Sequence, residues 1–357
     1  MAAGHFQPPP FQPNRPELVA PVQVDPAGRS GPTRGQARGP RWRRTSSHLY
    51  VPSEVELTVE QRIVEAASLI PARGGAVTGW AALRWMGGRW FDGSTSSDPS
   101  GLPVDLALPV TVRPRPGVSL CRERWNPAEM IVVDGLPVTI PLRSVAFAMR
   151  YASGVEDAVR VLDLAAFNDL VSVTEVIDYA GLAPRFGLSS YTGVQQCRDA
   201  IALADENTWS PQEVTMKLIW TRDAGFPAPL MNQPVFDLGG HLVGTPDLLD
   251  VEAGLAGEYE GSLHLLGSQR ARDVRREEKF RTLGLEFVTM LAGDAADRAG
   301  MVARMRAARG RARWLPEDQR AWTIVPPPWC TPTVTVDQRR SLSPSQRARL
   351  LRHRHVA

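Results

Sequence analysis

The stretch GTPDLLDVEAGLAGEYEGSLH, residues 244–264, limits the fold most tightly, because it threads Asp247, Asp250, Glu252, Glu258, Glu260 and His264 through an apolar hairpin pattern. Desolvating a carboxylate inside a folding unit is costly unless something pairs with it. With the hairpin centred between Glu252 and Ala253, Asp247 and Glu258 face one another on neighbouring strands, their Cβ atoms about 5 Å apart. Like charges so placed repel unless a cation sits between them. Period-two geometry adds Glu260 to the face of Glu258 and leaves His264 just past the strand end. Such a face is either a wet acidic hairpin or a hard-oxygen site that takes Mg2+ (or Mn2+) through one or two carboxylates and several waters. Asp is depleted in strand interiors, which favours the metal.

The flanking segments fit around this hairpin. In TWSPQEVTMKLIW, Ser210 suits an N-cap, Pro211 the first helical position, and Glu213 lies three residues after the cap, so a capping box accounts for this acid locally. Gly225 and Pro227 end the helix. The run QPVFDLGGHLVGTPDLLDVEAGLAGEYEGSLHLL predicts an antiparallel meander of three strands, turning at LGGH and VEAG. After it, SQRARDVRREEKFRTLGLEFVTML predicts a charged helix and then an apolar strand. Arg270, Arg272, Arg275, Arg276 and Lys279 on that helix are either laced to its acids on a solvated face or form a basic patch for a phosphodiester.

Elsewhere the chain is less informative. Residues 1–56, rich in Pro and Arg, read as a disordered arm whose RGQARGPRWRR stretch is a solvated tail or a phosphate contact. Residues 57–205 read as a mixed α/β domain with a helical second half. Thr58 starts a helix there, and two short helices before Gly87 form a helix-turn-helix or a packing unit. Trp80, Trp85 and Trp90 are expected in a core, and strands are expected in PVDLALPVTV and in MIVVDGLPVTI, with its DG turn. Residues 311–357 read as an extended linker and a basic tail, within which SPSQRARLLRHRHVA predicts a short capped helix.

Lys and Arg number 41 against 38 Asp and Glu, a net charge of +3, so bulk charge argues only weakly for a polyanionic partner. Cys121, Cys197 and Cys330 form no metal or disulfide pattern. No apolar run reaches the length of about 20 residues that a membrane helix needs. A cytoplasmic protein without a membrane partner is expected.

The order of a helix with Glu213 (SPQE), a strand with Asp247 (TPD), a strand with Glu258, Glu260 and His264 (EYEGSLH), a basic helix and an apolar strand resembles the PD-(D/E)xK restriction-endonuclease-like superfamily. Within it, residues 207–308 are similar to Vsr-like domains, those related to very-short-patch-repair endonucleases. The fold this implies is α/β, a mixed sheet flanked by helices at 206–310, following the N-terminal mixed α/β domain. The resemblance implies hydrolysis of DNA by a metal-activated water. Asp247 and Glu258 would be ligands, Glu213 a ligand or water-orienting acid, and His264 a general acid or base. Glu260 stands where the superfamily has a lysine, which Vsr-like domains also lack. The region before residue 205 resembles that of AbiEi-type antitoxins, which implies a cognate toxin or defence partner. An inactive nuclease fold serving as a DNA-binding regulator or antitoxin-like protein is the alternative.

Overall fold

The computed structural model describes residues 15–71, 74–94, 101–109, 113, 115–121, 123, 126–181, 191–261 and 276–354. They form a mixed α/β structure in two units, Met1–Tyr151 and Ala152–Ala357. The helical run expected to close the N-terminal domain therefore belongs to the second unit. Among the described residues no helix is long and apolar enough to cross a membrane.

The first unit begins with a sheet where the sequence suggests a disordered arm. Strands β1 (Val22–Gln23), β2 (Trp42–Ser46) and β3 (Leu49–Pro52) pair antiparallel in the order β1-β3-β2. Composition misleads here because order comes from distant partners. Leu49 and Val51 are fully buried. The Gln61 carboxamide donates to Val19 O at 2.9 Å and accepts from Val19 N at 3.1 Å. Arg15 reaches Asp134 and Trp85 O and lies 3.9 Å from the Trp85 ring centroid.

Helix α1 (Val59–Ala67) starts at Thr58, whose hydroxyl accepts from Gln61 N as expected. Strand β4 (Ala76–Thr78) separates α1 from α2 (Gly79–Trp85), so these helices are a packing unit and not a helix-turn-helix. Strands β5 (Val104–Ala107), β6 (Val118–Cys121), β7 (Met130–Val133) and β8 (Leu136–Thr139) join β4 in the order β6-β5-β4-β8-β7, and α3 (Pro141–Arg150) follows. Asp134 and Gly135 both take positive φ, 47° and 78°, as a two-residue hairpin turn that matches strand twist requires. Trp80 and Trp85 are core residues, whereas Trp90 is exposed beneath Arg89.

In the second unit, helices α4 (Val155–Phe167), α5 (Val173–Gly181), α6 (Val194–Ile201) and α7 (Pro211–Leu218) precede strands β9 (Leu230–Met231), β10 (Val235–Asp237), β11 (Leu242–Gly244), β12 (Leu248–Asp250) and β13 (Leu255–Glu260). Residues 276–282 are helical. Strand β14 (Glu286–Leu291), helix α8 (Arg298–Arg311), strand β15 (Trp322–Thr323) and helices α9 (Val336–Arg340) and α10 (Pro344–Leu350) complete the described chain. Both expected hairpins form, yet they lie in different sheets, ordered β11-β10-β15 and β14-β13-β12-β9. Pro246 stands between them and has no N–H to donate to a continuing ladder.

The four-stranded sheet is mixed, with β14 parallel to β13 and the other pairs antiparallel. Alternation divides its side chains between two cores. Leu248, Leu255, Val288 and Met290 pack with Met216 and Trp220 on one side and with Met301 and Met305 of α8. Leu249, Ala256 and Phe287 pack with Phe280, Leu285 and Trp322 on the other. Each large side chain so buried contributes about 1.5–3 kcal/mol, which fixes strand register by face.

The expected basic tail is part of this unit. Ser343 caps α10 as predicted. Arg339 is 0% exposed and donates to Asp169 Oδ1 at 2.6 Å, Ala166 O at 2.7 Å, and the carbonyls of Thr333, Val334 and Glu206 at 3.1 Å. Charge patterning alone could not distinguish such an arginine from a solvated one. Arg339→Met is expected to destabilise the protein by about 3–5 kcal/mol, since it deprives four carbonyls of their buried donor and leaves Asp169 with Arg347 as its remaining cation. The surface substitution Arg340→Met should cost about 1 kcal/mol or less, and urea unfolding midpoints distinguish the two.

Candidate active site

Helix α7 brings Glu213 to the sheet. Ser210 Oγ accepts from Glu213 N at 3.2 Å, the expected cap. The Glu213 carboxyl does more than close that turn. Its Oε1 accepts from Ser210 Oγ at 3.0 Å, and its Oε2 accepts from Trp209 N at 2.8 Å and Asn232 Nδ2 at 2.6 Å. Only 7% exposed, it is pushed up to about 8 by burial first and by the nearby Asp247 carboxylate second, against the pull of its hydrogen bonds. Burial and the Asp247 charge thus both favour the protonated carboxyl, while its three donors favour the ionised one.

The hairpin has the register that its sequence predicts. Leu248 faces Gly257, Leu249 faces Ala256 and Asp250 faces Leu255; one further step sets Asp247 across from Glu258. Asp247 Oδ2 accepts from Tyr259 N at 2.7 Å, so the acid caps the strand end. Glu258 is 4% exposed and ion-paired with Arg276, which projects from helix 276–282. Gly244 allows this helix to approach, because a Cβ there would meet Phe280 at 2.9 Å. Glu260, on the face of Glu258, is exposed at the strand end. Asp250, at the other end of β12, bonds to Arg309 at 2.8 Å and to Ala253 N at 3.1 Å, a turn-building role.

Of the expected basic residues, Arg276 engages Glu258 and Lys279 is exposed. His264, Arg270, Arg272 and Arg275 lie outside the described residues. The chain's other lysine, Lys217, is buried in an ion pair with Asp163. Among the described residues no group of three or more His, Cys, Asp or Glu side chains is placed to hold a metal ion. Glu213, Asp247 and Glu258 are thus not a three-carboxylate cage. Glu213 is engaged by three hydrogen-bond donors, while Asp247 and Glu258 supply oxygen atoms from facing strand positions.

Sequence reasoning missed Asn232, which follows β9. Its backbone N donates to Asp247 O at 3.1 Å while its side chain reaches Glu213, so one residue links both acids. Its φ of 47° is left-handed, a conformation that Asn adopts more readily than other residues bearing a side chain. An Asn between an apolar strand and Pro234 was the available signal.

No family model, curated protein or solved structure matches this chain.

The folded chain holds the Glu213 proton across a window, from about 4.5 to about 8, in which an unfolded glutamate has released it. Folding thus takes up a proton, and the contribution of Glu213 to stability, complete below that window, is lost as pH rises through it. The urea midpoint is expected to fall across this window, and Glu213→Gln should flatten this component of the slope. Asp247→Asn, which removes the neighbouring charge, should move the Glu213 titration down, as read by carboxyl 13C NMR.

Proposed function

We propose that this protein is a metal-dependent endodeoxyribonuclease whose site is the facing pair Asp247 and Glu258, with Glu213 beside Asp247. The carrying observation is that pair, set across from one another by the register of β12 and β13. Their oxygen atoms suit the habit of Mg2+ and Mn2+ of taking one or two carboxylates and completing the shell with water. When bound, such a cation lowers the pKa of a water and screens phosphate charge.

The element order supports the restriction-endonuclease-like reading. Glu213 lies on α7, Asp247 leads into β12, Glu258 lies in β13, a helix bearing Arg276 and Lys279 follows, and β14 returns parallel to β13. DNA is the substrate class that the resemblance implies. Asp247 and Glu258 would hold the cation. Glu213, beside Asp247, is the acid that would orient a water or join the cation's shell. Arg276 is placed to exchange its carboxylate for a phosphate oxygen, and exposed Lys279 to follow the backbone of a duplex.

One observation favours a second reading. Arg276 already neutralises Glu258, as in a nuclease fold that binds DNA as a regulator or antitoxin-like protein without cutting it. Incubation of plasmid DNA with the full chain, in Mg2+ or Mn2+ and in EDTA, separates the two. The nuclease reading expects metal-dependent cutting that Asp247→Ala and Glu258→Ala reduce by at least about a hundredfold, the scale on which a site fails when a metal or its shell is disturbed, while both variants stay folded by circular dichroism. Salt-sensitive binding without cutting, unchanged in Asp247→Ala, would favour the regulator.

A further inference from the structure

Asn232 has more contacts with the site than a loop residue requires. It is 1% exposed, and its Nδ2 donates both to Glu213 Oε2 at 2.6 Å and to Asn207 O at 2.8 Å. Its backbone N donates to Asp247 O at 3.1 Å, and its own carbonyl accepts from Asn207 Nδ2 at 3.0 Å. Among the described residues no donor reaches its Oδ1, although that atom is buried. Buried side-chain acceptors are rarely left unmatched, and one on a carboxamide already fixed through its nitrogen has little freedom to seek another partner.

A purely structural asparagine would account for the left-handed φ and the backbone bonds. It would not account for a buried oxygen on the very carboxamide that holds Glu213. We propose that Asn232 is a positioning residue of the site: its Nδ2 holds the Glu213 carboxyl, its main chain fixes Asp247, and its Oδ1 is a neutral oxygen for the hydrated divalent cation or that cation's water. The inference rests on the nuclease reading and adds to it a neutral oxygen beside two acids. A neutral ligand for a water adds no further negative charge beside the facing Asp247 and Glu258 carboxylates.

The left-handed backbone makes the test clean. Asn232→Gly keeps φ accessible and removes only the carboxamide, whereas Asn232→Ala would add backbone strain. Asn232→Asp keeps the shape and Oδ1 but replaces the donor to Glu213. Full-length wild type and the Gly and Asp variants would be titrated with Mn2+ by electron paramagnetic resonance, and their kcat and KM measured on plasmid DNA, with circular dichroism melts alongside. The proposal expects Asn232→Gly to melt as a folded protein, to bind Mn2+ about 10- to 100-fold more weakly and to lose a similar factor in kcat with KM little changed, the usual cost of deleting a supporting group around a metal. Asn232→Asp should retain Mn2+ binding and lose kcat. Wild-type Mn2+ affinity and kcat in Asn232→Gly, beside an active wild type, would overturn the positioning role alone. A wild type that neither binds Mn2+ nor cuts would overturn the nuclease reading and this inference with it.

Discussion

The opposition of Asp247 and Glu258 across β12 and β13 is the constraint around which the second unit is arranged. Two carboxylates at facing positions repel, and burial strengthens the repulsion. The protein meets it with three different devices. Asp247 accepts the Tyr259 N–H, Glu258 is paired with Arg276, and burial with the Asp247 charge raises the proton affinity of Glu213. No single device would suffice. A hydrogen bond leaves the charge in place, an arginine neutralises one acid only, and protonation of Glu213 follows partly from the charge left on Asp247.

The surroundings make this arrangement rigid. The sheet is held between two apolar layers, one with α8 and the residues around Trp220, the other with Phe280 and Trp322. A one-residue slip of β13 would exchange Leu255 and Gly257 with Ala256 and Glu258 between those layers, so packing defends the register. The first turn of α7 is braced from the far end of the described chain. Arg354 donates to Phe167 O at 2.6 Å and to Asn207 Oδ1 at 3.1 Å, and Asn207 in turn donates to Met231 O and Asn232 O. Segments whose composition suggests a solvated tail thereby hold the shell around Glu213.

What could be read from the sequence was what local chemistry determines. The VEAG turn and the alternation on either side fix the pairing of Leu248 with Gly257, and Ser210 with Pro211 fixes the start of α7. The order of residues 15–56 and of the tail depends on contacts across the chain, such as Gln61 with Val19 or Arg339 with Ala166, which composition does not report. The meander was divided by Pro246, a break that the apolar pattern on both sides conceals. Asn232 was invisible for a related reason. Its significance appears only when Glu213 and Asp247, 34 residues apart in sequence, meet around it. Glu213 itself was legible as a cap, and its raised proton affinity follows from burial, which no capping rule supplies.

Anomalous scattering from crystals of the full-length protein soaked in Mn2+ tests most directly whether the facing acids form a cation site. A peak between the carboxylates of Asp247 and Glu258, with the Arg276 side chain moved off Glu258, is the expected result. An ordered Arg276–Glu258 pair and no peak at the hairpin, in crystals that take up Mn2+ elsewhere, would contradict it.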